Sequence, residues 1–117
     1  VAQQETHDGD LQLLPTPGRT PGSCSFLYPS PLGLTYLFVG DTVTRSHDNW
    51  ITVLVPDSNS AELSQSLDFY RTLRPDVVLM STTRGHLSWA KVDLQSWLAA
   101  IDEAEQSPLD LRQQQLI

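Results

Sequence analysis

The sequence predicts an α/β fold in which a mixed sheet is backed by two helices. Three observations lead there. Short apolar stretches divided by Pro and Gly fill the first 40 residues. Residues 61–73 and about 92–105 repeat their apolar side chains at helical spacing. Between those two segments lies the fully apolar stretch 77–80, the pattern of a strand buried on both faces.

Taken in order, Asp8-Gly9 is a tight-turn signal, because glycine accepts positive φ without steric cost. Residues 11–14 then read as a short strand. Residues 15–22 hold three prolines and two glycines, a density that only a loop tolerates. Residues 23–28 read as a second strand, 29–33 as a turn, and 34–39 as a third strand of mostly apolar and aromatic residues. The long connection over 40–59 carries a short strand at 51–55; connections of this length in compact domains are more often functional than accidental. Asn59 or Ser60 caps the next helix, whose apolar face is Leu63, Leu67, Tyr70 and Leu73. Pro75-Asp76 ends that helix, the strand 77–80 follows, and residues 81–88 read as a loop. The last helix buries Val92, Leu94, Trp97, Leu98 and Ile101 and is closed by Pro108; residues from about 106 to 117 read as a frayed tail. These elements make one domain over 1–117.

Composition narrows the function classes. The net charge is -7, from seven Lys plus Arg against fourteen Asp plus Glu, with no basic run. A nucleic-acid surface needs clustered positive charge to displace counterions, so nucleic acid and anionic membranes are not expected partners. No apolar run approaches the roughly 20 residues a membrane helix needs. Cys24 is the single cysteine, so neither an intrachain disulfide nor a C-x-x-C zinc knuckle can form, which suits a cytoplasmic location. On its strand, Cys24 reads as a small buried hydrophobe rather than a nucleophile.

Three segments carry candidate chemistry, each in a loop directly after a strand. They are Thr16-Pro17-Gly18-Arg19-Thr20-Pro21-Gly22-Ser23, then Phe38-Val39-Gly40-Asp41-Thr42, and Arg84-Gly85-His86. Ligands of α/β folds collect where strand ends and loops converge. A carboxylate and an imidazole delivered there can both bind a borderline-soft cation such as Zn²⁺.

In order and spacing, this series resembles the metallo-β-lactamase-fold hydrolases, including the glyoxalase II type. Those proteins carry a Thr-Pro-Gly-His-Thr-Pro-Gly-Ser loop and a Phe-x-Gly-Asp-Thr strand end, followed by a helix with a Ser-Leu pair. A Pro-Asp-x-Val strand then leads to Gly-His. Ser66-Leu67 and Arg74-Pro75-Asp76-Val77-Val78 fall where that helix and strand belong. The resemblance implies half of an αββα sandwich, the C-terminal half. The bare face of its sheet would then pack either on the same face of a second copy, giving a homodimer, or on a missing N-terminal half.

By the same resemblance, Asp41 matches a bridging aspartate and His86 the last histidine ligand, so both are metal-ligand and catalytic candidates. Arg19 stands where a histidine ligand is expected. A guanidinium has no free lone pair and stays cationic, so Arg19 cannot coordinate a metal. It can instead grip an anionic group of a small-molecule substrate or pair with a carboxylate such as Asp41. The family's His-x-His-x-Asp-His motif is not found in these residues, and two ligands fall short of the three a catalytic zinc takes from protein. Tight binding of zinc, iron or manganese to this chain alone is therefore not expected. Two functions stay open: a metal-dependent hydrolase of ester, thioester, amide or phosphoester bonds, and a non-catalytic binding or assembly module of the same fold. Ser23 resembles a serine that supports the family's ligands, and a loop hydrogen bond explains it equally well. His47, Asp48, Trp50 and Trp89 read as exposed or packing residues.

Overall fold

The structure is a computed structural model that describes residues 5–7, 11–81 and 87–112. In chain order the elements are β1 (Glu5–His7), β2 (Leu11–Pro15), β3 (Cys24–Pro29), β4 (Thr35–Gly40), β5 (Thr44–Ser46), β6 (Asn49–Leu54), α1 (Ser60–Arg71), β7 (Val77–Ser81), β8 (Leu87–Lys91), α2 (Leu94–Gln106) and β9 (Pro108–Asp110). Six strands form the main sheet in the order β1-β2-β3-β4-β7-β8. Every neighbouring pair in it is antiparallel except β4 and β7. A parallel pair needs a long crossover, and residues 41–76 with α1 supply it.

Side chains alternate across a strand, and the register shows which way each points. Leu14, Ser25, Leu37, Val39, Val78 and Met80 face the helices and are fully buried. Leu13, Phe26, Phe38, Leu79 and Trp89 take the other face, aligned across five strands. Burying each aliphatic side chain of the helix-facing layer contributes about 1.5–3 kcal/mol.

Helix α1 starts where the Asn59 carboxamide oxygen accepts from the Glu62 amide at 2.9 Å. It buries the expected Leu63, Leu67 and Tyr70, and Ser66 beside them. At the start of α2, Asp93 and Ser96 form a reciprocal capping box, at 2.8 and 2.9 Å. The two helices are joined by the Trp97 indole, which donates to the Tyr70 carbonyl at 2.8 Å, with the two rings 5.9 Å apart. Arg71 adds ion pairs to Asp102 at 2.9 Å and Glu105 at 2.6 Å.

A second, three-stranded sheet, β5-β6-β9, covers α2. Thr52 donates to the Ala104 carbonyl at 3.4 Å, and the Trp50 amide to Glu103 at 2.9 Å. Its β5–β6 hairpin turns at His47 and Asp48, both exposed, with His47 at φ 58°. Among the described residues no helix is long and apolar enough to cross a membrane.

The mixed sheet and two helices agree with the sequence reading; several local expectations do not. Residues 87–91, of which 87 and 88 were expected in a loop and 89–91 had no assigned element, form the edge strand β8. Their large apolar residues, Leu87 and Trp89, lie on the face away from the helices and are 69% and 64% exposed. Helix α2 begins at Leu94, which is 47% exposed, and its buried side is Trp97, Ala100, Ile101 and Ala104. Leu94 shares the face of Ile101, seven residues on, but stands at the first helical position, beyond the buried stripe. Cys24 is exposed rather than buried, because it shares the outward face with Phe26. Residues 108–110, expected within the trailing tail, pair in parallel with β6. The Asp8-Gly9 turn lies outside the described residues.

Candidate strand-end site

The loop between β2 and β3 is held from several directions. The Thr16 amide donates to the Ser23 carbonyl at 3.0 Å and closes its base. The Thr20 and Ser23 hydroxyls meet at 2.8 Å across its tip. Helix α1 and the turn before it grip its middle. The Ser66 hydroxyl donates to the Pro17 carbonyl at 2.7 Å, the Asn59 amide to the Gly18 carbonyl at 2.6 Å, and the Ser58 hydroxyl to the Arg19 carbonyl at 2.7 Å. Three consecutive carbonyls are thus satisfied by one neighbouring element, so the Arg19 backbone is fixed before its side chain is considered.

Gly18 makes this approach possible. Its φ is +142°, and a Cβ there would collide with the backbone of Leu63. Beneath the loop runs a buried chain of hydroxyls. Thr16 and Ser25 meet at 2.8 Å, and Ser25 and the Tyr70 hydroxyl at 2.6 Å. Burial pushes the Tyr70 phenol above its ordinary range, against the opposing effect of hydrogen bonds with Ser25, Thr16 and Thr42. The group therefore stays neutral.

The second strand end is built by Gly40, at φ +61°, and by the Thr42 amide, which donates to the Val39 carbonyl at 3.1 Å. That turn delivers Asp41 to the loop, where Arg19 Nη1 donates to Asp41 Oδ2 at 2.9 Å. The Arg19 side chain is 23% exposed and that of Asp41 55%. Arg19 Nε is buried and finds no hydrogen-bond partner among the described residues. Two of the three candidate residues are therefore together. The third, His86, lies outside the described residues, as do Arg84 and Gly85.

This geometry bears on whether the residues fit a metal ion. Among the described residues no group of three or more His, Cys, Asp or Glu gathers in one place. One of the two Asp41 carboxylate oxygens already accepts from a guanidinium. With the described residues alone, the donor set does not fit a catalytic zinc. What the arrangement offers is a fixed cation, neutralised on one side and partly open to solvent. His47 and Asp48 sit at the β5–β6 turn, where Arg45 reaches Asp48 at 4.0 Å and stacks over Trp50 at 5.7 Å from the ring centroid. Among the described residues no hydrogen bond or ion pair joins that turn to the side chains of Arg19 or Asp41.

Ser58, Asn59, Ser66 and Tyr70 position this loop, and sequence reading did not assign them that task. Ser58 meets its partner across 39 residues and Ser66 across 49. The one available signal was the Ser66-Leu67 pair, which followed the family pattern without indicating what the serine touches.

The six-stranded mixed sheet with two helices on one face makes an α/β fold. In particular, the chain is similar to the crystal structure of an archaeal metallo-β-lactamase superfamily protein from Sulfolobus tokodaii, with a TM-score of 0.54 and 21% identity over 86% of this chain. The match covers 36% of that protein, so this chain spans about a third of its length. At that identity the likeness concerns the fold. No protein-family model and no curated protein matches the chain.

Proposed function

We propose that this chain is a non-catalytic binding or assembly module of the metallo-β-lactamase fold, with a degenerate metal site. The observation that carries this reading is the Arg19–Asp41 ion pair at 2.9 Å. By resemblance one partner is a metal ligand and the other replaces one. Charge at the strand ends is balanced internally, so the loop needs no bound cation to hold its shape. An anionic small molecule remains a candidate ligand, since Arg19 keeps donors beyond the one given to Asp41.

Metal content after dialysis against chelator-free buffer, beside an Asp41→Ala control, tests the reading. It expects metal well below stoichiometry and unchanged by the substitution. Near-stoichiometric zinc, iron or manganese that disappears in Asp41→Ala overturns it. That result would favour a hydrolase in which Asp41 and His86 are joined by ligands from another chain or segment.

A further inference from the structure

We infer that the cavity between α1, β6 and the end of α2 is a binding site for a small apolar amine in its protonated form. The inference goes beyond the strand-end reading and stands apart from it. The cavity has a volume of about 200 Å³, and α1, β6, α2 and the start of β9 all contribute to its lining. Leu54, Leu63 and Leu67, each buried, give it apolar walls, and Thr52, Ser64 and Glu105 give it polar atoms. These elements lie on the helix side of the main sheet, where β6 packs on α2. The site therefore does not depend on what covers the opposite face.

Size limits the ligand first. An apolar cavity of about 150 Å³ takes a molecule the size of benzene. At about 200 Å³ this one admits a single ring, or a branched chain of equal bulk, with a short polar arm.

Hydrogen bonding decides what that arm carries. The Ser64 hydroxyl donates to Glu105 Oε2 at 2.8 Å, and the Thr52 hydroxyl to the Ala104 carbonyl at 3.4 Å. Both have committed their proton and keep lone pairs. Glu105 Oε1 accepts from Arg71 at 2.6 Å, and the carboxylate retains lone pairs for a further donor. The Arg71 guanidinium holds that carboxyl below its ordinary range, so it is an anion at neutral pH. Of the lining hydroxyls only Ser60, which receives a 3.4 Å contact from Arg112, keeps its proton to give among the described residues. A lining so rich in acceptors calls for a ligand that donates.

Charge makes that donor a cation. Arg71 serves three carboxylates, Asp68, Asp102 and Glu105, at 2.6, 2.9 and 2.6 Å, so the cluster keeps a net negative charge. Arg112 is taken up by Asp110 at 2.6 Å, and Arg74 is turned to the backbone carbonyls of Arg71 and Leu73. The helix ends at the cavity oppose each other, the positive start of α1 against the negative end of α2, and do not decide the sign. A neutral alcohol satisfies the acceptors but gains nothing from the carboxylates.

Titration with benzylamine, followed through backbone amide shifts by nuclear magnetic resonance, tests this, with benzyl alcohol as a neutral probe of the same shape. The expected result is saturable movement of the amides of Leu54, Leu63, Leu67 and Glu105, with the amine bound several-fold more tightly than the alcohol. Glu105→Gln should erase that preference and leave the alcohol unaffected. Ser64→Leu, which fills the space, should abolish binding of both. Absence of saturable shifts up to the solubility of the probes overturns the site, and shifts centred on other residues overturn it as well. Equal binding of the two probes, or a preference that survives Glu105→Gln, overturns the assignment of an amine. Should a variant fail to fold, the wild type decides: its preference for the amine should shrink several-fold as salt rises. A preference indifferent to salt overturns the proposal. None of these outcomes bears on the Arg19–Asp41 pair, whose own test is metal content.

Discussion

Arg19 and Asp41, 22 residues apart in sequence, form an ion pair at 2.9 Å where the β2–β3 loop meets the end of β4. Each is delivered by a glycine in a positive-φ conformation, Gly18 before Arg19 and Gly40 before Asp41. The pair is partly solvated, so its energetic weight is modest, whatever its effect on metal binding. Asp41→Asn should lower stability by about 0.2–1 kcal/mol. Chemical denaturation in low and high salt measures this, and the difference between the two proteins should shrink as salt rises. A loss well above that range, insensitive to salt, would show that Asp41 supports the fold in some other way.

Gly18→Ala should be strongly harmful although the residue lies in a loop, because Gly18 is buried against α1. The new methyl group meets the backbone of Leu63, which cannot rotate away as a side chain would, and φ +142° is strained for alanine. A cost of about 2–4 kcal/mol is expected. Urea unfolding gives the value, and a near-neutral result would mean that α1 does not pack this closely on the loop.

Tyr70→Phe removes the last hydroxyl of the buried chain that runs through Ser25 to Thr16. Ser25 keeps Thr16 as a partner, so the expected cost is that of one buried hydrogen bond, about 1–2 kcal/mol. Ser25→Ala should cost more, because the Tyr70 and Thr16 hydroxyls both lose their contact with Ser25. Thermal denaturation of both variants checks the order.

Arg71 joins α1 to α2 through Asp102 and Glu105, and also pairs with Asp68 on its own helix. Its hydrogen bond, followed by that of Ser64, holds the Glu105 carboxyl below its ordinary value of 4.5. A folded pKa below the unfolded one means that this stabilisation is present above about pH 4.5 and is lost as pH falls through the folded value. The melting temperature of the wild type should drop over that acid window. Arg71→Ala should remove this part of the drop, at a cost near neutral pH of about 1–2 kcal/mol, moderated by solvent screening. Parallel pH profiles for the two proteins would disprove the coupling.

The sequence by itself determined the sheet-and-helix order, because side-chain periodicity is local. Leu63, Leu67 and Tyr70 mark a helix by spacing alone, and residues 77–80 mark a buried strand by composition alone. It also placed Arg19 and Asp41 after strand ends, since glycine and proline punctuate the chain wherever it must turn. Tertiary structure decided the rest. Strand β8 was hidden because Leu87 and Trp89 point away from the helices, and burial, the usual guide to a strand's inner face, points the wrong way there. Leu94 shares the buried face of α2 by spacing and is still exposed, because it stands at the helix's first residue. That Arg19 reaches Asp41, with its loop held by Ser58, Asn59 and Ser66, depends on the β2–β3 loop, the end of β4 and α1 being brought together. Contacts across tens of residues leave no periodic trace in the chain; they exist only once the sheet register and the Gly18–Leu63 packing have fixed the distances.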